Sequence, residues 1–159
     1  MGMNQTLALY TKLTKKNEKL GRAAFSAAFA LKAPYFRTIA PVVKTMEPHR
    51  GVVAIKKWWG VQNHIGTVHA IAIANGMEMA MGLLAEATVP KGMRWIPKGI
   101  QLDYVAKTPG DVECVAETSP EDWAKEPPFT VDVRMTGRLV KDGTVAVQGI
   151  IPIYVSAKK

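Results

Sequence analysis

The polar residues best suited to chemistry fall in one short stretch. Residues 63–69 read Asn63-His64-Ile65-Gly66-Thr67-Val68-His69, and Asn75, Gly76 and Glu78 follow inside a long apolar run. Glu78 is flanked by Met77, Met79, Ala80 and Met81. A carboxylate in such company is costly unless it is paired or reaches a cavity. Desolvation should raise its pKa, which is how a carboxylate becomes a general base near neutrality. The alternative is a Glu78 that is partly exposed or bonded to a neighbour, and the residues alone leave both open. Taken singly, His69 reads as a helix-start histidine with a backbone hydrogen bond, and Asn63 as a turn or cap residue. His64 and His49 make no metal case, since neither has a second histidine or a carboxylate at ligand spacing on its own element.

Periodicity names the elements that must hold these groups. From Leu7 to about Lys32, apolar residues recur at steps near three and four (Leu7, Tyr10, Leu13, then Leu20, Ala24, Ala27, Ala28, Leu31), which predicts helix broken around Gly21. Pro34 and Pro41 suggest a short connecting stretch. Gly51 to Lys56 is β-branched and reads as a strand. A helix from about His69 to Glu86 is apolar almost all the way round, a pattern that predicts burial on every side.

Strands follow. Residues 100–106 and 111–117 alternate, and Phe129 to Leu139 is the cleanest period-two run in the chain. Asp142-Gly143 is a hairpin signal, with Val145 to Val155 returning as the partner strand. The order is a helical lead-in, one strand, an apolar helix, then four consecutive antiparallel strands. A long sheet with one apolar helix to cover will curl around it.

Composition narrows the classes. The chain has 159 residues, 48% of them apolar and 21% charged, which fits one packed domain and excludes disorder as the main state. The apolar stretch Ala23 to Leu31 is too short for the roughly 20 residues of a membrane span. No secretory signal is readable, so a cytoplasmic protein without stable membrane insertion is expected. The single cysteine, Cys114, excludes an intramolecular disulfide framework and a Cys-pair zinc site. Of the net charge of +8, residues 1–50 carry +7, from nine basic and two acidic residues. Without aromatic platforms or a recognisable module, that charge reads as a solvated helix face and not as a nucleic-acid surface.

The pattern Asn63-x2-Gly66-x2-His69-Ala70, with Glu78 nine positions after the histidine, resembles the signature of hotdog-fold acyl-CoA thioesterases. It is most similar to the branch that includes the phenylacetate-pathway enzymes. Ala33-Pro34-Tyr35-Phe36-Arg37-Thr38-Ile39 further resembles a poorly characterised bacterial subgroup of that superfamily. The resemblance spans about residues 33–155. It implies an α+β hotdog fold, an antiparallel sheet of about five strands wrapped around one central apolar helix. Residues 1–159 would form a single hotdog domain, with a helical lead-in over 1–45 and a core over 51–155.

The resemblance also implies roles. Asn63 matches the asparagine that holds the thioester or the attacking water, and His69 the histidine that orients the site. Ala70 matches a glycine whose backbone N–H polarises the thioester carbonyl, and Glu78 the general base or nucleophile. Two departures are visible: Ala70-Ile71 replaces a common Gly-Gly, and Ala106 falls where some relatives carry Ser or Thr. No cofactor is implied beyond coenzyme A as part of the substrate, and no metal. Gly66, Arg94, Lys98 and Lys107 are candidate substrate contacts, the cations for the coenzyme A phosphates. The methionines near Glu78 are candidates for an acyl channel, although methionine also fills cores.

Spacing adds a constraint of its own. Ala70 and Glu78 are eight residues apart, hence about 12 Å along a helix axis. One thioester carbon cannot touch both, because reacting groups must lie near 3 Å. If both act on one substrate, they come from different chains. A homodimer with two composite sites follows, with pairing into a dimer of dimers left open and an acyl-CoA or acyl-carrier thioester as substrate. Two other readings share the fold: an acyl-CoA-binding protein without turnover, and a hydratase or dehydratase.

Overall fold

The computed structural model describes residues 3–158, with side chains from Gln5 onward. Helices α1 (Met3–Lys16) and α2 (Glu18–Lys32) form an antiparallel lead-in, followed by a 3-10 turn over Pro34–Ile39. Strands β1 (Val42–Glu47) and β2 (Arg50–Ile55) precede the central helix α3 (Ala70–Thr88). Strands β3 (Met93–Pro97), β4 (Gln101–Tyr104), β5 (Val112–Glu117), β6 (Phe129–Leu139) and β7 (Val145–Ala157) complete the molecule. The seven strands form one antiparallel sheet in the order β1-β2-β5-β6-β7-β3, with β4 also paired to β7. The fold is α+β, a hotdog fold with a helical lead-in.

The sheet exceeds the five strands expected, for local reasons. β1 overlaps the end of the stretch read as lead-in, residues 1–45. A register shift between Val43 and Thr45 breaks its alternation, so Val43 and Met46 face the core three residues apart and no period of two is visible. β3 is short, ends in Pro97 and lies at the margin of the sheet, which suits a proline that cannot donate to a ladder. Of the later strands, β5, β6 and β7 pair in sequence order, but β5 also crosses to β2, while β3 and β4 share one side of β7. The Phe129–Leu139 reading holds residue by residue, with every odd position buried and the even ones mostly exposed.

The lead-in departs from expectation in a second way. The helix breaks at Asn17, whose extended backbone and side chain cap α2 by accepting from Leu20 N–H at 3.0 Å. Gly21 serves the crossing of α1 and α2 instead, since a Cβ there would lie 2.3 Å from the Leu13 carbonyl oxygen. Consequently Phe25, Ser26 and Ala30 point inward, whereas Leu20, Ala24, Ala27, Ala28 and Leu31 face out. Aromatic contacts choose the face: Tyr10–Phe25, Phe25–Phe29 and Phe29–Phe36 run at centroid distances of 5.1, 5.9 and 6.1 Å. Ser26 ties the helix to the sheet, its Oγ accepting from Val43 N–H at 2.8 Å, and Tyr10 donates to the Lys44 carbonyl at 3.0 Å.

α3 lies against the sheet with almost no space between backbones. A Cβ on Gly51 would meet the Ala80 carbonyl oxygen at 2.2 Å, and one on Gly76 would meet Ile55 Cδ1 at 2.5 Å and Cys114 Sγ at 2.9 Å. Met77 in turn fills the space above Gly137. With Met77, Met79, Met81, Leu83 and Leu84 all fully enclosed, each side chain contributes about 1.5–3 kcal/mol of burial. By length and apolar character alone α3 could cross a membrane, but here it is the core helix. It is not enclosed on every side: Ile71, at 59% exposure, and Glu78 lie on an open stripe.

Replacement of Gly51 by alanine tests the helix–sheet contact. Neither partner atom belongs to a flexible side chain, so the variant should lose about 2–3 kcal/mol in urea unfolding, with an unchanged m-value.

Candidate functional site

The loop before α3 is tied by its own residues. Asn63 Oδ1 accepts from Ile65 N–H and Thr67 N–H, both at 3.1 Å, and its Nδ2 donates to Thr67 Oγ1 at 2.8 Å. These bonds use the Oδ1 and one of the Nδ2 hydrogens, which is the turn role that asparagine often fills. Gly66 is the apex, at φ +76°, a left-handed conformation that costs glycine little. Its N–H donates to the Asn63 carbonyl. The loop then pairs across its base through Asn63 N–H and the Thr67 carbonyl, and Val68 is anchored to Thr108.

His69 is the N-cap of α3. Its Nδ1 accepts from Ile71 N–H at 3.1 Å, so the neutral ring carries its proton on Nε2. Its own N–H donates to Val61 and its carbonyl accepts from Ile73, which fixes the entry angle of the helix. Among the described residues, Ala70 N–H has no acceptor. A free N–H at a helix N-terminus is a donor with a partial positive charge behind it. Tyr104, a residue the sequence pattern did not single out, donates its hydroxyl to the Ala70 carbonyl at 2.9 Å. Burial pushes its hydroxyl above the usual tyrosine range, and the buried Cys114 adds to this.

Glu78 lies two turns along the same helix. In the single chain it is exposed, contrary to the burial on every side that the apolar run of the helix predicts. Met77 and Met79 point into the sheet, and the carboxylate projects from the opposite, uncovered side. It borders two hollows. One, of about 290 Å³, is lined by Phe29, Phe36, Met81, Gly82, Trp95 and Pro97, among others, and reaches Glu86. The second, of about 360 Å³, is lined by Pro97, Lys98, Gly99, Ile100 and Ile151. Of the methionines, only Met81 lines the first hollow, so Met77 and Met79 are core.

The candidate site residues therefore form two groups on one chain: Asn63, Gly66, His69 and Ala70 at the start of α3, and Glu78 with Lys98 farther along. Arg94, Lys98 and Lys107 are exposed; Arg94 donates to Ser156 Oγ at 3.2 Å and the Lys98 ammonium stands 5.6 Å from the Tyr154 ring centroid. Ala106 is exposed just beyond β4, its N–H bonded to the Ala146 carbonyl. Cys114 is no nucleophile candidate, because burial pushes its thiol up to about 12, with Glu113 adding to the shift. Among the described residues no His, Cys, Asp and Glu cluster could hold a metal.

Other partners emerge only in three dimensions. Glu86 accepts from Thr6 Oγ1 and Trp95 Nε1, each at 3.3 Å, joining α1, α3 and β3 at the far end of the first hollow. Asn75, buried beneath the 3-10 turn, donates to Thr38 Oγ1 at 3.1 Å and so fastens the lead-in to α3. A second acid eight residues after Glu78 on one helix was a signal available in sequence; the Trp95 and Thr6 bonds had none.

Comparison with known proteins agrees with this architecture. A crystal structure from structural genomics is 37% identical, superimposes with a TM-score of 0.81, and is covered over 94% of this chain and 99% of its own. A Pseudomonas aeruginosa protein of unknown function, described as a probable thioesterase, is 16% identical with a TM-score of 0.72, covering 81% of this chain and 91% of its own. A thioesterase family protein from Silicibacter pomeroyi is 12% identical with a TM-score of 0.69, covering 84% and 96% respectively. No curated protein matches. Residues 21–155 match the family described as "Domain of unknown function (DUF4442)", and with most of the chain inside that match and the hotdog architecture around α3, the protein belongs to this family.

Proposed function

We propose that the protein hydrolyses an acyl-CoA or acyl-carrier thioester at two composite sites in a homodimer. The observation that carries this reading is Glu78: a carboxylate on the open stripe of an otherwise enclosed helix, bordering an apolar hollow on one side and a hollow with Lys98 on the other. Thioesterase descriptions of the Pseudomonas and Silicibacter proteins, which share the fold, support the same class.

The chemistry needs an oxyanion donor and a base. Ala70 N–H, with the α3 dipole behind it, suits the negative charge that develops on the thioester oxygen. Glu78 takes a proton from water as the water oxygen bonds to the carbonyl carbon; collapse of the adduct breaks the C–S bond and releases coenzyme A as a thiolate. Direct attack by the carboxylate, followed by hydrolysis of the anhydride, gives the same products. The thiolate is a good leaving group, so no strong general acid is needed. His69, whose Nδ1 is engaged with Ile71, keeps the helix terminus in position.

The eight-residue separation on one helix requires Ala70 and Glu78 of different protomers. An uncovered margin at β3 and β4 supports such pairing. Ile96, Ile100, Tyr104 and Val105 are 46–58% exposed there, beside the open stripe residue Ile71. Unpaired strand margins with apolar side chains are natural sites of self-association. Burial by a second copy would also supply the desolvation of Glu78 that the protomer alone lacks. Coenzyme A phosphates fit the exposed Arg94, Lys98 and Lys107, and an acyl-CoA substrate would place the protein in the cytoplasm. A second reading, binding of an acyl ligand without turnover, is favoured by the commitment of Asn63 to its own loop.

Thiol release from acyl-CoAs checks the role of the acid: Glu78→Gln should lower kcat about 10²–10⁴-fold while leaving ligand binding in place. Full turnover in that variant removes Glu78 as the base, and tight binding without release by the unaltered protein selects the second reading.

Subunit mixing checks the composite site. His69 has an extended backbone, φ −64° and ψ 138°, so proline at position 70 suits the first helical residue and deletes only the N–H. Ala70→Pro and Glu78→Gln should each be inactive alone. Random exchange of the two variants into mixed dimers should restore about a quarter of the unaltered activity, one intact site in half of the dimers. No recovery after verified exchange refutes a shared site.

A further inference from the structure

The hollow between Glu78 and Glu86 has a shape that speaks to substrate. It runs along α3, roofed by Phe29 and Ala33 of the lead-in and Phe36 of the 3-10 turn, walled by Met81, Trp95 and Pro97, and about 290 Å³ in volume. That is the lower end of the range for small-molecule sites. Glu78 borders it, and Glu86, which Thr6 and Trp95 hold in place, lines it two turns farther along α3.

Gly82 lies on its floor, and nothing in the packing requires a glycine there. Glycine inside a helix costs roughly 0.5–1 kcal/mol relative to alanine. Gly76 and Gly51 have a reason, since a Cβ at either would collide with the neighbouring element. At Gly82 an added Cβ would touch only Trp95 Cη2, at an ordinary 3.6 Å. Its φ carries no left-handed demand either. What a side chain at position 82 would remove is the open volume beside Trp95.

We infer that this hollow is the acyl-chain pocket, that it takes a straight, apolar chain of medium length, and that Gly82 is the residue that keeps it deep. The inference rests on the reading of Glu78 as the acid of a thioester site. Eight residues separate the two glutamates, so the floor is about 12 Å long. At the roughly 1.25 Å that each carbon of an extended chain advances, given C–C bonds of about 1.5 Å, the floor holds on the order of eight to ten carbons. A longer chain would press a methyl group on the Glu86 carboxylate and strip its water, which is unfavourable. The selectivity of the pocket comes from the lead-in and β3 of one protomer.

Hydrolysis of butyryl-, octanoyl-, decanoyl- and palmitoyl-CoA by the full chain tests this. The unaltered protein should show its highest kcat/KM on octanoyl- or decanoyl-CoA, with palmitoyl-CoA lower. Gly82→Leu should reduce the decanoyl-to-butyryl ratio by about tenfold or more, the scale on which a few methylenes discriminate. Gly82→Ala, which meets no clash, should fold and shift the ratio in the same direction by less. Equal rates on all chains, or ratios unmoved in folded variants, overturn the proposal. Calorimetry with non-cleavable thioether analogues separates the two readings. Length-dependent binding that responds to position 82 without any hydrolysis upholds the pocket and removes the esterase, whereas hydrolysis with length-independent binding removes the pocket alone.

Discussion

Everything in this molecule follows from how closely α3 approaches the sheet. At Gly51 the helix backbone and the strand backbone are within contact of each other, and Gly76 and Gly137 extend the trough toward the start of the helix. Interiors pack at crystal-like density, so a helix held at these points has no freedom to roll. Its rotation is therefore fixed, and with it the direction of every side chain it carries. Met77, Met79 and Leu83 go into the sheet; Ile71 and Glu78 must go the other way. The exposed acid is a geometric consequence of three missing methyl groups.

The same constraint explains the division of labour around the helix. The sheet covers one side of α3, the lead-in packs against another through α1 at Glu86 and the 3-10 turn at Asn75, and the stripe between them stays open. Within that stripe a helix terminus with an unpaired N–H and a carboxylate are held at a fixed spacing. The cap at His69 and the packing beneath Glu78 fix where both groups stand. Under the proposed reading this is preorganisation, which makes dipoles and charges effective at a reacting centre.

Much of this was readable from residue order, and what was not has identifiable physical causes. β6 was plain because one face is wet and the other dry along its whole length. β1 was hidden by a bulge that shifts its inward residues out of period. The inward face of α2 was not legible because a helix rich in alanine has two apolar faces. Periodicity cannot rank them, whereas the ring contacts of Phe25 and the crossing at Gly21 can. Glu78 stood out as the lone acid in a long apolar run, but its exposure depended on which side of that run the glycines would press against the sheet. The bonds of Glu86 and Tyr104 depend on where β3 and β4 pair with β7, which is topology and not pattern.

The capped break at Asn17 has one more consequence. Because the chain reverses there, α1 is fastened to the central helix through Thr6 and Glu86, while α2 is fastened to the sheet through Ser26 and Val43. The lead-in thus works as a clasp, gripping both layers of the core at once.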